Sequence, residues 1–145
     1  MREILFKAKL KGINRWIEGF YCSMRETTYC FAEDYERHPV PLHHLIAVDE
    51  MTDWGLPNKL RLYEIDPETL CEYTGLTDKN GKKIFENDLV RYRDTVSTVQ
   101  YGEYNCSCCT GVYGWFFDGG DIRENESYEI VGNKFDDAEQ EEGDS

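Results

Sequence analysis

The sequence predicts an all-β fold, with short antiparallel strands forming a small barrel or sandwich and little helix. Short apolar runs recur along the chain, separated by turns rich in Gly, Asn, Asp and Pro, as expected of a strand-and-turn architecture. Ten Tyr, seven Phe and three Trp among 145 residues supply the aromatic side chains that half-buried strands favour. No stretch carries the period of an amphipathic helix, and no internal repeat is present.

The elements follow in order. Residues 4–9 and 16–21 flank the turn-forming Lys11-Gly12-Ile13-Asn14 and predict an N-terminal hairpin over about 1–21. Gly19, inside the second strand, marks a bulge or a close approach of another backbone. Residues 22–60 read as an irregular insert. Within it, 23–44 are polar, and Pro39 and Pro41 hold the chain extended while withholding ladder donors, so a loop or edge segment is expected. Residues 45–48 form a short buried strand, and 51–58, with Gly55 and Pro57, a loop.

Residues 61–137 are the barrel-like half. Residues 60–65 alternate apolar with charged, the period of a strand. Asp66 at an N-cap and Pro67 at the first helical position start a single turn, and 73–76 return to extended chain. Asp78-Lys79-Asn80-Gly81 is the strongest turn signal, because Asn-Gly readily takes positive φ. Residues 84–92 follow as a strand kinked at Asn87-Asp88. A strand at 96–101, a three-cysteine loop at 102–110, an aromatic strand at 112–117, a turn at 118–121 and a last strand at 128–135 complete the chain. The density of strands and turns over 73–135 suits an SH3-like barrel.

A chain of this length buries roughly two-thirds of its unfolded surface, so one domain is expected over 1–137, with 138–145 an acidic disordered tail. Sixteen Lys and Arg stand against 29 Asp and Glu, a net charge of −13. Residues 136–145 hold six acids and no base, and the remainder is net negative too. Phosphate backbones are bound by neutralising them, so this balance weighs against nucleic acid and anionic membranes as partners. No run approaches the roughly 18 apolar residues of a membrane span, and the N-terminus lacks the apolar segment of a signal peptide. Both point to the cytoplasm of a host cell, where most of the six cysteines are expected as free thiols.

Residues 65–70, followed by Tyr73-Thr74-Gly75-Leu76-Thr77-Asp78-Lys79-Asn80-Gly81-Lys82-Lys83-Ile84-Phe85-Glu86-Asn87-Asp88-Leu89-Val90, resemble the central block of YopX-like proteins. Residues 4–9 with 16–21 are similar to that family's opening, and 129–136 to its ending. Two departures stand out. Cys71-Glu72 replaces a common Gly-Gln, and Glu86-Asn87-Asp88 replaces a common Glu-Gly-Asp. Asn tolerates left-handed backbone better than most residues, so the second change keeps the bend. The resemblance implies an all-β fold, a phage or prophage origin and self-association. It implies no activity, and it carries over no catalytic residue.

No recognisable catalytic, cofactor or metal site emerges. Cys106-Ser107-Cys108-Cys109, with Cys22 and Cys30 elsewhere, lacks the spacing of paired zinc knuckles, so loop thiols are the plainer reading. His38, His43 and His44, with Asp34, Glu36 or Asp49, are residue types that hold divalent metals. Adjacent histidines on extended chain point oppositely, however, and surface histidines beside prolines are the plainer reading. No nucleophile elbow accompanies the Cys and His residues. The lysines of Asp78-Lys79-Asn80-Gly81-Lys82-Lys83 fall short of a P-loop and read as a solvated turn. Trp16, Phe20 and Tyr21 are expected in the core. Of Trp115, Phe116 and Phe117, at least one is expected outside the main core, because neighbours on a strand face opposite sides.

The function expected from these readings is non-enzymatic: an accessory phage or prophage protein acting on an unknown protein partner or on itself as a homo-oligomer. Two alternatives remain. One is an acidic mimic of nucleic acid that inhibits a host DNA- or RNA-processing enzyme, suggested by the acidic body and tail. The other is a weak nucleic-acid-binding β-barrel using Lys79, Lys82, Lys83, Arg91 and Arg93 beside Tyr92.

Overall fold

The computed structural model describes residues 2–106, 109–117, 120–121 and 127–136. The expected tail at 138–145, Ser107 and Cys108 of the cysteine segment, and Asp118-Gly119 of the expected turn lie outside them. The chain divides into two compact units, Leu5–Leu70, and Met1–Ile4 with Cys71–Ser145.

The Leu5–Leu70 unit contains β1 (Phe6–Lys9), β2 (Trp16–Arg25), α1 (Ala32–Arg37), β3 (Leu42–Glu50), β4 (Lys59–Glu64) and a 3-10 turn at Pro67–Thr69. Its strands are antiparallel in the order β4-β3-β2-β1. The sheet curls until its ends meet: Leu10 bridges Ile65, Lys11 N donates to Glu64 O at 3.1 Å, and Asp66 N donates to Lys9 O at 2.9 Å. The inner face packs Ala8, Ile46 and Ile65 against Phe6, Ile17, Tyr21, Val48 and Leu70. At the exit, the Asp66 side chain accepts from Glu68 N, the N-cap the sequence foretells, and Thr69 Oγ1 accepts from Lys9 N at 2.8 Å.

Gly19 is where two backbones meet. A Cβ there would lie 2.3 Å from Ala47 O and 2.8 Å from Ile46 Cγ2. The hairpin register Phe6↔Gly19, Lys7↔Glu18, Ala8↔Ile17 runs through it unbroken, so close approach is the reason for the glycine. Gly19→Ala must push β3 away from β2, and we expect it to cost about 2–3 kcal/mol, the scale of overpacking. Thermal unfolding of the variant checks this.

The polar stretch before β3 differs from expectation. β2 continues to Arg25, and α1 follows as a six-residue helix with no buried residue. A helix without an apolar face leaves no period to read, although Glu33 and Asp34 in its first turn and Arg37 in its last match the helix dipole.

The second unit holds β5 (Cys71–Thr77), β6 (Lys83–Phe85), β7 (Asp88–Tyr92), β8 (Thr95–Thr98), β9 (Gln100–Cys106), β10 (Cys109–Phe117), β11 (Gly120–Asp121) and β12 (Tyr128–Asn133). β5 and β6 form a hairpin, and two three-stranded sheets run β12-β7-β8 and β11-β10-β9. Ile84, Val90, Val99, Phe117 and Tyr128 pack together, so side chains of both sheets share one core. The arrangement is sandwich-like. Among the described residues no sheet closes into the SH3-like barrel.

The expected strand at 96–101 is divided. Val99, fully buried, separates β8 from β9, and its N–H donates to Asp88 O at 3.0 Å. The expected loop at 102–110 is largely strand, because Tyr101 meets Trp115 and Tyr104 stacks on Phe116 across the ladder. Aromatic cross-strand pairs outweigh the local Gly and Cys signals there. The kink at Asn87-Asp88 is real: Asn87 takes φ +68° and Asp88 begins β7. Trp115 and Phe117 lie on the core side, while Phe116 turns to Tyr104.

Candidate interaction surface

β4 reads Lys59-Leu60-Arg61-Leu62-Tyr63-Glu64, and an alternating strand ordinarily turns its apolar positions inward. Here they face out. The register Phe20↔Ala47↔Leu62 joins β2, β3 and β4 in one row, and directly opposed residues share a face. Phe20 is 61% exposed and Leu60 68%, with Met24 and Leu62 also open. Buried Leu45 and Ala47 form the floor between them. The other face of β4 is occupied by polar bonds: Arg61 Nη1 meets Glu50 Oε2 at 3.1 Å, and the Tyr63 hydroxyl donates to Glu50 Oε1. The Tyr63 bond, then Arg61, holds the Glu50 carboxyl below its usual range.

The loop closing the β3–β4 hairpin continues this character. Residues 51–58 are all exposed, and Trp54 at 84% is the most open large apolar side chain described. Sequence reading passed over Trp54 as ordinary loop. An indole amid turn-forming residues was the available signal. Phe20 and Trp16, expected in the core, are corrected by the register. Both strand parities around Gly19 carry apolar residues, and the sheet places Ile17 and Tyr21 inside. Trp16 instead carries Lys7 Nζ and Lys9 Nζ over its ring at 5.0 and 5.4 Å.

At one end of the outer face the charges are already matched. His43 Nδ1 lies 2.9 Å from Glu64 Oε1, and its Nε2 lies 3.1 Å from Glu26 Oε2. Carboxylates only accept, so both ring nitrogens must carry protons and the imidazolium is favoured. The bond to Glu64, then that to Glu26, raises the His43 pKa above 6.5. Glu64, held down chiefly by His43, also receives Lys11 Nζ at 3.2 Å. A group with a raised folded pKa stabilises fully below its unfolded value and loses that contribution as pH rises through the folded one. The stability advantage over His43→Gln is therefore expected to be largest just below pH 6.5 and to fade above it. Chemical unfolding of both proteins across pH tests the sign.

Beside this clip a cavity of about 400 Å³ is lined by Lys11, Gly12, Leu42, His44, Glu64, Ile65, Asp66 and Pro67. His44 Nδ1 is 2.6 Å from the Tyr21 hydroxyl. The histidines expected as a cluster thus part: His43 joins Glu26 and Glu64 on the outer side, His44 joins Tyr21 on the inner, and Tyr29 donates to the carbonyl of His38. Among the described residues no three His, Cys, Asp or Glu side chains converge as metal ligands. Cys22 and Cys30 are exposed free thiols, and Cys71 is buried. Cys106 and Cys109 are opposite positions in the backbone register of β9 and β10.

The lysine turn also resolves. Asp78 Oδ1 accepts from Asn80 N at 2.9 Å and Lys82 N at 2.8 Å, while its Oδ2 accepts from Ile130 N at 3.2 Å. The amides that would cradle a phosphate already hold a carboxylate. Lys79 and Arg91 both reach Glu129, at 3.6 and 3.8 Å, and Lys83 reaches Glu3 at 3.1 Å. Arg93 lies over Tyr92 at 5.1 Å. No helix among the described residues is long and apolar enough to cross a membrane.

Fold and surface together define a small antiparallel β-protein with an apolar sheet face turned outward. Residues 5–140 match the family model described as YopX protein, and the chain belongs to that family. Comparison with curated proteins and with solved structures gives no match.

Proposed function

We propose that this is a non-enzymatic accessory protein of phage or prophage origin that works in the host cytoplasm by protein–protein contact. The observation that carries the reading is the inverted strand β4, with Leu60 and Leu62 beside Phe20 on the outer face. Leaving such side chains in water forfeits about 1.5–3 kcal/mol each relative to burial, and contiguous apolar patches mark interaction sites. The residues that carry the family resemblance support the same reading, because their described roles are architectural. Asp66 caps a turn, Thr74 bonds Ile84 O, Asp78 fills its own turn, and Asp88 ties strand ends. The basic groups proposed for nucleic acid are largely matched by Glu129 and Glu3, which leaves protein contact favoured over nucleic-acid binding.

Tagged wild type and Phe20→Asp/Leu62→Asp are compared for the complexes they form in nuclease-treated host lysate, including those of a differently tagged second copy. Loss of all specific association in the variant, with its melting temperature retained, is the expected result. Association that survives both substitutions refutes the reading.

A further inference from the structure

Resting on that reading, we infer that the partner is engaged as a β-strand: the open edge of β4 takes an extended, apolar and basic segment of another protein into the sheet. Hydrogen-bond parity defines the edge. Ile65 N donates to His44 O, so alternation aims the backbone groups of Lys59, Arg61 and Tyr63 at β3 and those of Leu60 and Leu62 away from it. The two leucines thus offer two donors and two acceptors to an added strand. Beyond them the edge is closed, because Glu64 O already accepts from Lys11 N.

Sheet edges are ordinarily blunted by shortness, bulges or proline. Among the described residues the other terminal strands follow that rule. β6 and β11 have three and two residues, β8 has four, and β9 and β12 meet their neighbours through register shifts. β4 has six residues, no proline and an unbroken register with β3. Its first four residues are all exposed. Phe20, Met24, Leu60 and Leu62 expose only about half of the roughly 800 Å² that each partner of a standard interface buries. That is too little for a globular partner but enough for a single strand, whose affinity comes largely from main-chain bonds.

Charge sets the composition of that strand. Asp49 opposes Leu60 in the register, and Glu18 precedes Phe20 by two residues on the same face. Both are exposed, and neither has an ion pair among the described residues. Lys59 and Arg61 take the other face, where Glu50 opposes the first and bonds the second. At the far end His43, Glu26, Glu64 and Lys11 already match one another. The unanswered charge beside the edge is therefore negative, on a chain of net −13. A Lys or Arg of the added strand, set next to Leu60, lays its stem on the leucine and its charge toward Asp49. A second copy would only add the same acids again.

The test selects octapeptides from a random phage-displayed library against the full chain, then measures the enriched peptides, made synthetically, by titration and amide hydrogen exchange. Enriched sequences should alternate apolar residues with Lys or Arg. On binding, the Leu60 and Leu62 amides should slow at least about tenfold, while those of Arg61 and Tyr63 are protected in both states. Leu62→Pro deletes a donor that β3 does not use, so it should keep its melting temperature yet bind at least about tenfold more weakly, a loss of 1.4 kcal/mol. Leu62→Val, which keeps the donor, should bind much as the wild type does. Asp49→Asn should weaken binding about threefold at low salt, the scale of an exposed ion pair. No enrichment, an acidic consensus, or Leu60 and Leu62 amides that stay fast in the complex overturns the inference, and the exchange result decides alone should Leu62→Pro not fold. Host-lysate complexes that Phe20→Asp/Leu62→Asp abolishes and Leu62→Pro leaves intact would keep the contact reading and defeat strand addition. Absence of any such complex defeats the contact reading itself.

Discussion

Asp88→Ala is expected to lower stability by about 3–4 kcal/mol, a fall of roughly 10 °C in melting temperature. Asp88 is 1% exposed. Its Oδ2 accepts from Phe85 N at 2.8 Å and its Oδ1 from Asn133 Nδ2 at 2.9 Å. One carboxylate therefore joins the end of β6, the start of β7 and the end of β12. Truncation removes the acceptor of both bonds and opens a void, in a region where Asn87 already holds a left-handed conformation. Asp88→Asn keeps the volume but offers one acceptor to two donors, so an intermediate loss is expected. Thermal and urea unfolding of both variants measure the order. Equal stability of Ala and wild type would mean that these bonds contribute nothing net.

The second large effect is expected at Asp78. Burial opposes its charge, yet the backbone amides of Lys82, Ile130 and Asn80 outweigh burial and hold its pKa below 3.8. Asp78→Ala removes the acceptor for all three amides, and the expected loss is about 2–3 kcal/mol at neutral pH, the range for bonds to a charged group. The sign of the pH dependence follows from the depressed pKa. The contribution is fully present above the unfolded value near 3.8 and disappears as pH falls through the lower folded value. The gap between wild type and Asp78→Ala should stay constant from neutral pH down to about 5 and narrow at more acid pH. A gap unchanged into strong acid would show that the side chain acts through packing alone.

Both aspartates lie in the segment that carries the family resemblance, and both are explained by backbone amides and strand ends. This is also why sequence reading located them without finding their roles. Asn80-Gly81 announces a turn through the positive φ it supplies, and Gly81 takes φ +83°. The third amide bound by Asp78 belongs to Ile130, 52 residues away. No local pattern encodes a bond of that separation.

What the sequence determined by itself is local. Period-2 alternation, Asn-Gly and Asp-Pro punctuation, and the glycine at position 19 specified strands, turns, the N-cap at Asp66 and the kink at Asn87. Each depends on φ, ψ and sterics within a few residues. The tertiary structure decided which face of each strand is inside. Alternation in β4 separates Leu60 and Leu62 from Arg61 and Tyr63, but says nothing of which set meets the core. The pairing of β4 with β3, where Ala47 opposes Leu62, sends the leucines outward. Whether residues 102–106 are loop or strand was likewise settled by Tyr101 and Tyr104 meeting Trp115 and Phe116 on β10. Face and partner are properties of contacts between segments distant in sequence, and those contacts exist only once the chain has folded.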